Sequence, residues 1–178
     1  KENSFSGHPN LKSITFPENS KLKIIENHSF GSSPLRKLVL PASVEKIGGG
    51  SFQNNGNLVD IEISPKNEHF KIFDNKIILT KSGTNIQAFD VLLFASRDIQ
   101  IVQIPSQIKE ISEFAIHKCN ELKSITFEPN SSLEIINSFS ISVNSNLTKI
   151  IFPKSVKIFG DISFSDNENL TSIEILGS

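Results

Sequence analysis

The chain repeats one short pattern of apolar residues, Leu-x2-Ile-x-Ile, seven times along its length. The copies begin at Leu11, Leu35, Leu58, Ile99, Leu122, Leu147 and Leu170, so the steps between them are 24, 23, 41, 23, 25 and 23 residues. A period of this size is typical of a solenoid, in which single units cannot bury their apolar residues and stacked neighbours supply a shared core. We therefore predict one solenoid over residues 1–178. We expect it to be a fragment of a longer array, because both ends fall inside a repeat.

Each repeat opens with a strand and closes with a bend. In the second unit, Leu38 and Leu40 alternate with outward positions, and this period of two predicts a short strand with one face in the core. Pro41 ends the strand because proline has no N–H to donate. Val44 and Ile47 then predict a second inward-facing run on the opposite wall of the coil. A Ser or Ala followed by Phe or Ile predicts the tight bend that inserts a large side chain into the stack.

Small polar side chains recur three residues after that Phe or Ile. They are His8, Ser33, Asn55, Cys119, Asn144 and Asn167. Side chains of this kind at one repeat position satisfy turn backbone groups from inside each coil, as in an asparagine or cysteine ladder. We therefore expect Cys119 to be a buried thiol that faces a turn, and not a reactive cysteine.

The whole repeat, Leu-x2-Ile-x-Ile-Pro-x2-Val-x2-Ile-x3-[Ala/Ser]-Phe-x2-[Asn/Cys]-x2-Leu, resembles the BspA-type leucine-rich repeat. It departs from that family in using Ser before the Phe, and Ile at positions 116 and 141 where the family usually has Phe. The resemblance implies a right-handed leucine-rich-repeat solenoid, mainly β, with a parallel sheet of one short strand per repeat and little α-helix. It also implies adhesion or host-protein binding at bacterial or protozoan surfaces, although other members are intracellular. The Asn-, Ser- and Ile-rich texture is similar to the protozoan versions.

One step of 41 residues interrupts the period and predicts an irregular repeat over residues 64–98. A Ser-Gly turn between Ile77–Thr80 and Asn85–Phe89 predicts a β-hairpin insertion there. Insertions in solenoids often lie on the binding face. The alternative is that the largely apolar hairpin packs on the stack, where it interrupts and rigidifies the array.

Charge and motif content exclude several classes of function. The formal net charge is −1 and the sequence has no basic stripe, which argues against nucleic-acid binding. No apolar run approaches the roughly 20 residues that span a bilayer, so we expect no membrane contact in this segment. The four histidines share no repeat position and no metal-ligand spacing, and no phosphate-binding glycine motif occurs. We predict no enzyme activity, no cofactor and no metal.

The outward strand positions are the candidate binding surface, which we call the strand face. Its predicted protein-binding residues are Lys37, Val39, Asp60, Glu62, Ile101, Gln103, Lys149 and Ile151. Coils stack about 4.8 Å apart, so Lys37 should lie beside Asp60 and Glu62. The mixture of short polar and isolated apolar side chains suits a protein ligand. The alternative is a solvated sheet with weak cross-strand pairs.

Four Asn-x-Ser/Thr triplets are candidate glycosylation sites. They lie at Asn27, Asn130, Asn146 and Asn169, and the last two share one repeat position. A chain this rich in Asn, Ser and Thr produces such triplets by composition, so they are compatible with a surface location and do not establish it.

These observations predict a non-catalytic protein-binding module at the cell surface or outside the cell, for adhesion or host-protein recognition through a rigid face. Two alternatives stay open. One is an intracellular structural or scaffold element in the cytoplasm, and the other is a regulatory arm of a larger protein.

Overall fold

A computed structural model describes residues 1–177, and it confirms an all-β solenoid of seven turns. Seventeen strands lie in this range, and none of its residues is helical. Each coil has three walls. The first wall carries the strand predicted from the Leu-x2-Ile-x-Ile pattern, the second carries the Val-x2-Ile run, and the third carries the Ser-Phe bend.

The strand bounds follow the repeat. The first wall contains β1 (Ser13–Ile14), β3 (Lys37–Leu40), β5 (Asp60–Ile63), β9 (Ile101–Ile104), β12 (Ser124–Phe127), β15 (Lys149–Phe152) and β17 (Ser172–Ile175). The second wall contains β2 (Ile24–Ile25), β4 (Lys46–Ile47), β8 (Val91–Ala95), β10 (Glu110–Ile111), β13 (Ile135–Ile136) and β16 (Ile158–Phe159). β6 (Phe70–Phe73) and β7 (Ile77–Thr80) belong to the irregular repeat, and β11 (Ile116–His117) and β14 (Ile141–Ser142) lie on the third wall.

Both main walls pair in parallel between coils but are interrupted. On the first wall the paired groups are β1–β3–β5, β9–β12 and β15–β17. On the second wall, β2 pairs only with β4, while β8, β10, β13 and β16 continue as one ladder. The breaks between β5 and β9 and between β4 and β8 fall at the irregular repeat, whereas the break between β12 and β15 does not.

The irregular repeat contains an antiparallel β6–β7–β8 unit, which corrects the strand pairing predicted from sequence. β7 covers Ile77–Thr80 as expected, but its partners are β6 and β8. The segment Asn85–Phe89 is not a strand. The tight turn of the hairpin is at Asp74 and Asn75, which both adopt positive φ.

The hairpin lies between two halves of the core. Ile77, Leu79 and Leu92 pack with the C-terminal coils, whereas the adjacent residues Ile78 and Leu93 pack with the N-terminal coils. Because alternate side chains of a strand point to opposite faces, β7 and β8 are buried on both sides. The insertion therefore forms an internal partition, in agreement with the interpretation that it packs on the stack.

Left-handed backbone recurs at the corners of the third wall. In the last three coils the residue before the Ser or Ala has positive φ, and these residues are Phe114, Phe139 and Ile162. The residue four positions later repeats this conformation, for example Val143 at φ 58°. Each such apolar residue costs about 1 kcal/mol relative to glycine, so the stacking of neighbouring coils must hold the corners in place.

Candidate functional site

The strand face has the side-chain order that the sequence predicts. Lys37 is in register with Asp60, and Val39 with Glu62. The Nζ atom of Lys37 lies 2.5 Å from Glu62 Oε1 and 3.5 Å from Asp60 Oδ2. The hydrogen bond to Glu62 raises the pKa of Lys37, so this ammonium group stays charged at neutral pH. Its side chain is held across two strands on an open surface.

The C-terminal part of the strand face presents apolar side chains beside a second ion pair. Ile101 is 58% exposed and Ile151 is 38% exposed. Ile151 is in register with Glu174, whose Oε1 lies 2.6 Å from Lys149 Nζ. Gln103 is exposed on β9. This half of the face offers isolated apolar contacts bordered by charge.

The strand face is not continuous across the irregular repeat. Within residues 1–177, β5 and β9 share no ladder, so Asp60 and Glu62 are not paired to Ile101 and Gln103. At the site of the break, Ser96 Oγ donates to the carbonyl of Val59 over 3.3 Å. The irregular repeat therefore separates the candidate residues into two groups, one before it with Lys37 and the carboxylates and one after it with the exposed isoleucines.

The predicted polar ladder is present on the third wall. Asn144 donates from Nδ2 to the carbonyl of Ile116 and accepts from the Cys119 N–H over 2.9 Å. Asn167 repeats both bonds one coil later, to Ile141 and Asn144. These side chains are buried, so the ladder supplies partners to turn groups that water cannot reach.

Arg97 takes the place of the asparagine in the irregular coil, and the sequence prediction missed it. The side chain is 3% exposed, and Nη2 donates to the carbonyl of Phe52 over 3.4 Å. Asn55 makes the same bond to Phe30 one coil earlier. The signal was available, because Arg97 follows Phe94 by three residues, which is the ladder spacing.

Cys119 and His117 lie beside this arginine and are both buried. Burial raises the pKa of the Cys119 thiol, although Arg97 Nη1 lies 3.7 Å from its sulfur and opposes the shift. Burial, with repulsion from Arg97 and Lys118, lowers the pKa of His117 to about 3. A protonated thiol and a neutral imidazole in the core fit a structural role for Cys119, as predicted.

The four candidate glycosylation asparagines are all exposed. Asn146 Nδ2 donates to the carbonyl of Asn120, and Asn169 Nδ2 to that of Ser145, over 2.7 Å each. Asn27 Nδ2 lies 3.5 Å from Glu2 Oε1, and Asn130 has positive φ at a turn.

Residues 1–177 contain neither a metal-ion cluster nor a membrane-spanning helix. No three His, Cys, Asp or Glu side chains in that range converge on a position for a metal ion. The same range contains no helix that is long and apolar enough to cross a bilayer.

The stacked coils, the parallel strands and the internal asparagine ladder define a leucine-rich-repeat solenoid. The model of the BspA type leucine rich repeat region (6 copies) matches residues 1–89 and again residues 89–178. This chain therefore belongs to the BspA-type leucine-rich-repeat family, as its sequence pattern indicated. No curated protein matches it.

Solved structures support the same fold. A leucine-rich repeat protein from Eubacterium ventriosum is 20% identical, with a TM-score of 0.75, over 92% of this chain and 42% of that one. A leucine rich cell surface protein from Faecalibacterium prausnitzii is 21% identical, with a TM-score of 0.62, over 99% and 57%. The pneumococcal vaccine antigen PcpA is 24% identical, with a TM-score of 0.73, over 98% and 47%. The chain thus spans between 42% and 57% of the length of these proteins.

Proposed function

We propose that this chain is a non-catalytic recognition module at a cell surface, which binds a protein through the strand face. The observation that carries the proposal is the fixed outward row of side chains on a rigid scaffold. Lys37 is anchored to Glu62 on one side of the irregular repeat. On the other side Lys149 is anchored to Glu174, and Ile101 and Ile151 are exposed. The similarity to a bacterial cell surface protein supports the proposed location.

The mechanism is recognition by a preorganised surface. Each outward side chain is fixed by a strand whose inward neighbours are buried, so little backbone order is lost when a partner binds. Exposed isoleucines supply apolar contacts. The ion pairs on the same face orient the partner and disfavour proteins whose surface charge does not complement them. A protein surface of mixed character is the ligand that fits this arrangement.

The binding test uses a panel of immobilised extracellular-matrix and plasma glycoproteins, with the chain in solution and surface plasmon resonance as the measurement. The variant Lys37→Glu with Ile151→Asp alters both parts of the strand face. We expect it to weaken binding at least tenfold. The matched control is Lys154→Glu with Ile158→Asp, which makes the same two charge changes at exposed residues off the strand face. Equal affinities for both variants would exclude the strand face.

The location test labels intact and permeabilised cells with an antibody against the chain. Labelling of intact cells is the result that we expect. Labelling only after permeabilisation would instead favour the intracellular scaffold or the regulatory arm of a larger protein.

A further inference from the structure

Within residues 1–177 the second wall is interrupted between β4 and β8, which share no ladder. In the intact coils, carbonyl groups on this wall accept N–H groups from the following coil. The Lys109 carbonyl accepts from Glu134 and Ile135, and the Ile111 carbonyl accepts from Asn137. Each second-wall strand is thus built to receive a parallel neighbour.

β4 has no such neighbour in the following coil. Its ladder partner is β2, and the carbonyl groups of Glu45 and Ile47, which correspond to those of Lys109 and Ile111, accept no hydrogen bond from residues 1–177. The strand that would follow, β8, pairs instead with β7 and β10. Because β7 of the inserted hairpin pairs with one edge of β8, the edge of β4 that would otherwise face β8 has no partner strand.

A groove of about 750 Å³ lies along this free edge. Apolar side chains of Ile47, Val91 and Leu93 contribute to its lining. The loop that contains Lys81 to Thr84 forms another part of it. The groove is therefore bounded by protein on several sides, and Glu45 and the β4 residues Lys46 and Ile47 form one of them.

We propose that this groove binds an extended peptide segment of a partner protein, which adds to β4 as a parallel strand. The free carbonyl groups require N–H donors at the spacing of an extended main chain, and the apolar lining accepts an inward-pointing side chain such as Ile or Leu. Charged residues of both signs line the groove, namely Glu45, Glu68 and Glu110 with Lys46 and Lys81. Recognition accordingly depends on the main chain and on one or two apolar side chains more than on charge. This site lies on the second wall, whereas the strand face lies on the first, and it does not depend on the function proposed for the strand face.

The probe is the acetylated and amidated peptide Ser-Ser-Leu-Glu-Ile-Ile-Asn-Ser, which copies residues 131–138. In its own coil this segment donates the N–H groups that pair with the Lys109 and Ile111 carbonyls. The matched control carries N-methyl groups at the residues that copy Ile135 and Asn137, which removes two donors and keeps every side chain.

The measurement is a titration of the ¹⁵N-labelled chain with each peptide, followed by amide chemical shifts. We expect the probe to move the signals of Glu45 to Gly48 and of Val91 to Leu93, and the N-methylated peptide to bind at least tenfold more weakly. Equal binding of the two peptides would overturn the proposal, because the main chain would then not be recognised. Shifts confined to β16, whose outer edge is also free, or no shift at millimolar peptide, would overturn it as well.

Discussion

The guanidinium group of Arg97 donates from Nη2 to the carbonyl oxygen of Phe52 over 3.4 Å, the bond that an asparagine makes in the regular coils. Its Nη1 reaches the carbonyls of Ala95 and Ala115, and its Cζ lies 4.2 Å from the centre of the Phe94 ring. One long side chain thereby links the Phe52 carbonyl, in the coil before the insertion, to the Ala115 carbonyl, in the coil after it.

Replacement of Arg97 by Ala should therefore destabilise the chain strongly. The change leaves buried carbonyl groups without donors and opens a cavity over Phe94, and we expect the free energy of unfolding to fall by about 3 kcal/mol. Urea denaturation measures this. The control Arg36→Ala, at an exposed arginine, should change stability by less than about 0.5 kcal/mol. Similar losses for the two variants would show that Arg97 does not link the coils.

The asparagine ladder gives a second stability prediction. Asn144→Ala removes the donor to the Ile116 carbonyl and the acceptor for the Cys119 N–H, and both groups are buried. We expect a loss of about 2–3 kcal/mol in the free energy of unfolding. Asn120→Ala, at an exposed asparagine of the same turn region, serves as the control. A loss below about 1 kcal/mol, the net value of one hydrogen bond, would mean that water satisfies these groups.

Close contact between coils predicts that alanine substitution at two glycines, Gly48 and Gly56, has different effects on thermal stability. A Cβ atom built on Gly48 would lie 2.5 Å from the backbone nitrogen of Asn27, whereas one built on Gly56 would have Lys118 Cδ as its nearest neighbour at 3.9 Å. Gly48→Ala should therefore lower the thermal midpoint, and Gly56→Ala should leave it unchanged or raise it. Equal midpoints for the two variants in a calorimetric scan would contradict the close packing of these coils.

The buried imidazole of His117 makes the free energy of unfolding depend on pH. Its pKa in the folded chain is about 3, below the ordinary value of 6.5, so between these limits the unfolded chain binds a proton that the folded chain does not. The free energy of unfolding should therefore fall as pH decreases from 6.5, by up to about 1.4 kcal/mol per pH unit from this group. His117→Gln should flatten the slope between pH 6 and pH 4 in urea titrations. An unchanged slope, or an imidazole NMR signal of the native chain that titrates near pH 6, would contradict the burial of His117.

The burial of Cys119 predicts that its thiol reacts slowly with alkylating reagents in the folded chain. The side chain is fully buried and burial raises its pKa, so both access and thiolate content are low. We expect iodoacetamide to modify Cys119 only as fast as the chain unfolds, with full modification in denaturant. Rapid alkylation of the native chain at pH 8 would show that the third wall is open at this point.

The regular coils could be predicted from the sequence because each strand residue there faces either the core or the solvent. Leu38 and Leu40 alternate with Lys37 and Val39, and this alternation is also the burial pattern of the strand. The same reasoning placed Lys37 beside Glu62 and Cys119 inside the stack. In both cases the spacing of the repeat decides which side of the chain faces the core.

The irregular repeat was predicted less well because its strands are buried on both faces. The run Val91–Ala95 is entirely apolar and buried, so it has no alternation to indicate a face. The Ser-Gly dipeptide suggested a turn that would pair Ile77–Thr80 with Asn85–Phe89, but the two-residue left-handed turn at Asp74 and Asn75 sets the hairpin. The free edge of β4 follows from this pairing and could not be read from the repeat pattern alone.

The hairpin divides the stack, so that β8 lies between β7 and β10. A NOESY spectrum of the isotope-labelled chain tests it most directly. We predict cross-strand contacts that join Leu92 to Leu79 on one side and to Ile111 on the other. Contacts that join Ile47 directly to Ile111, as in an uninterrupted second wall, would contradict the account.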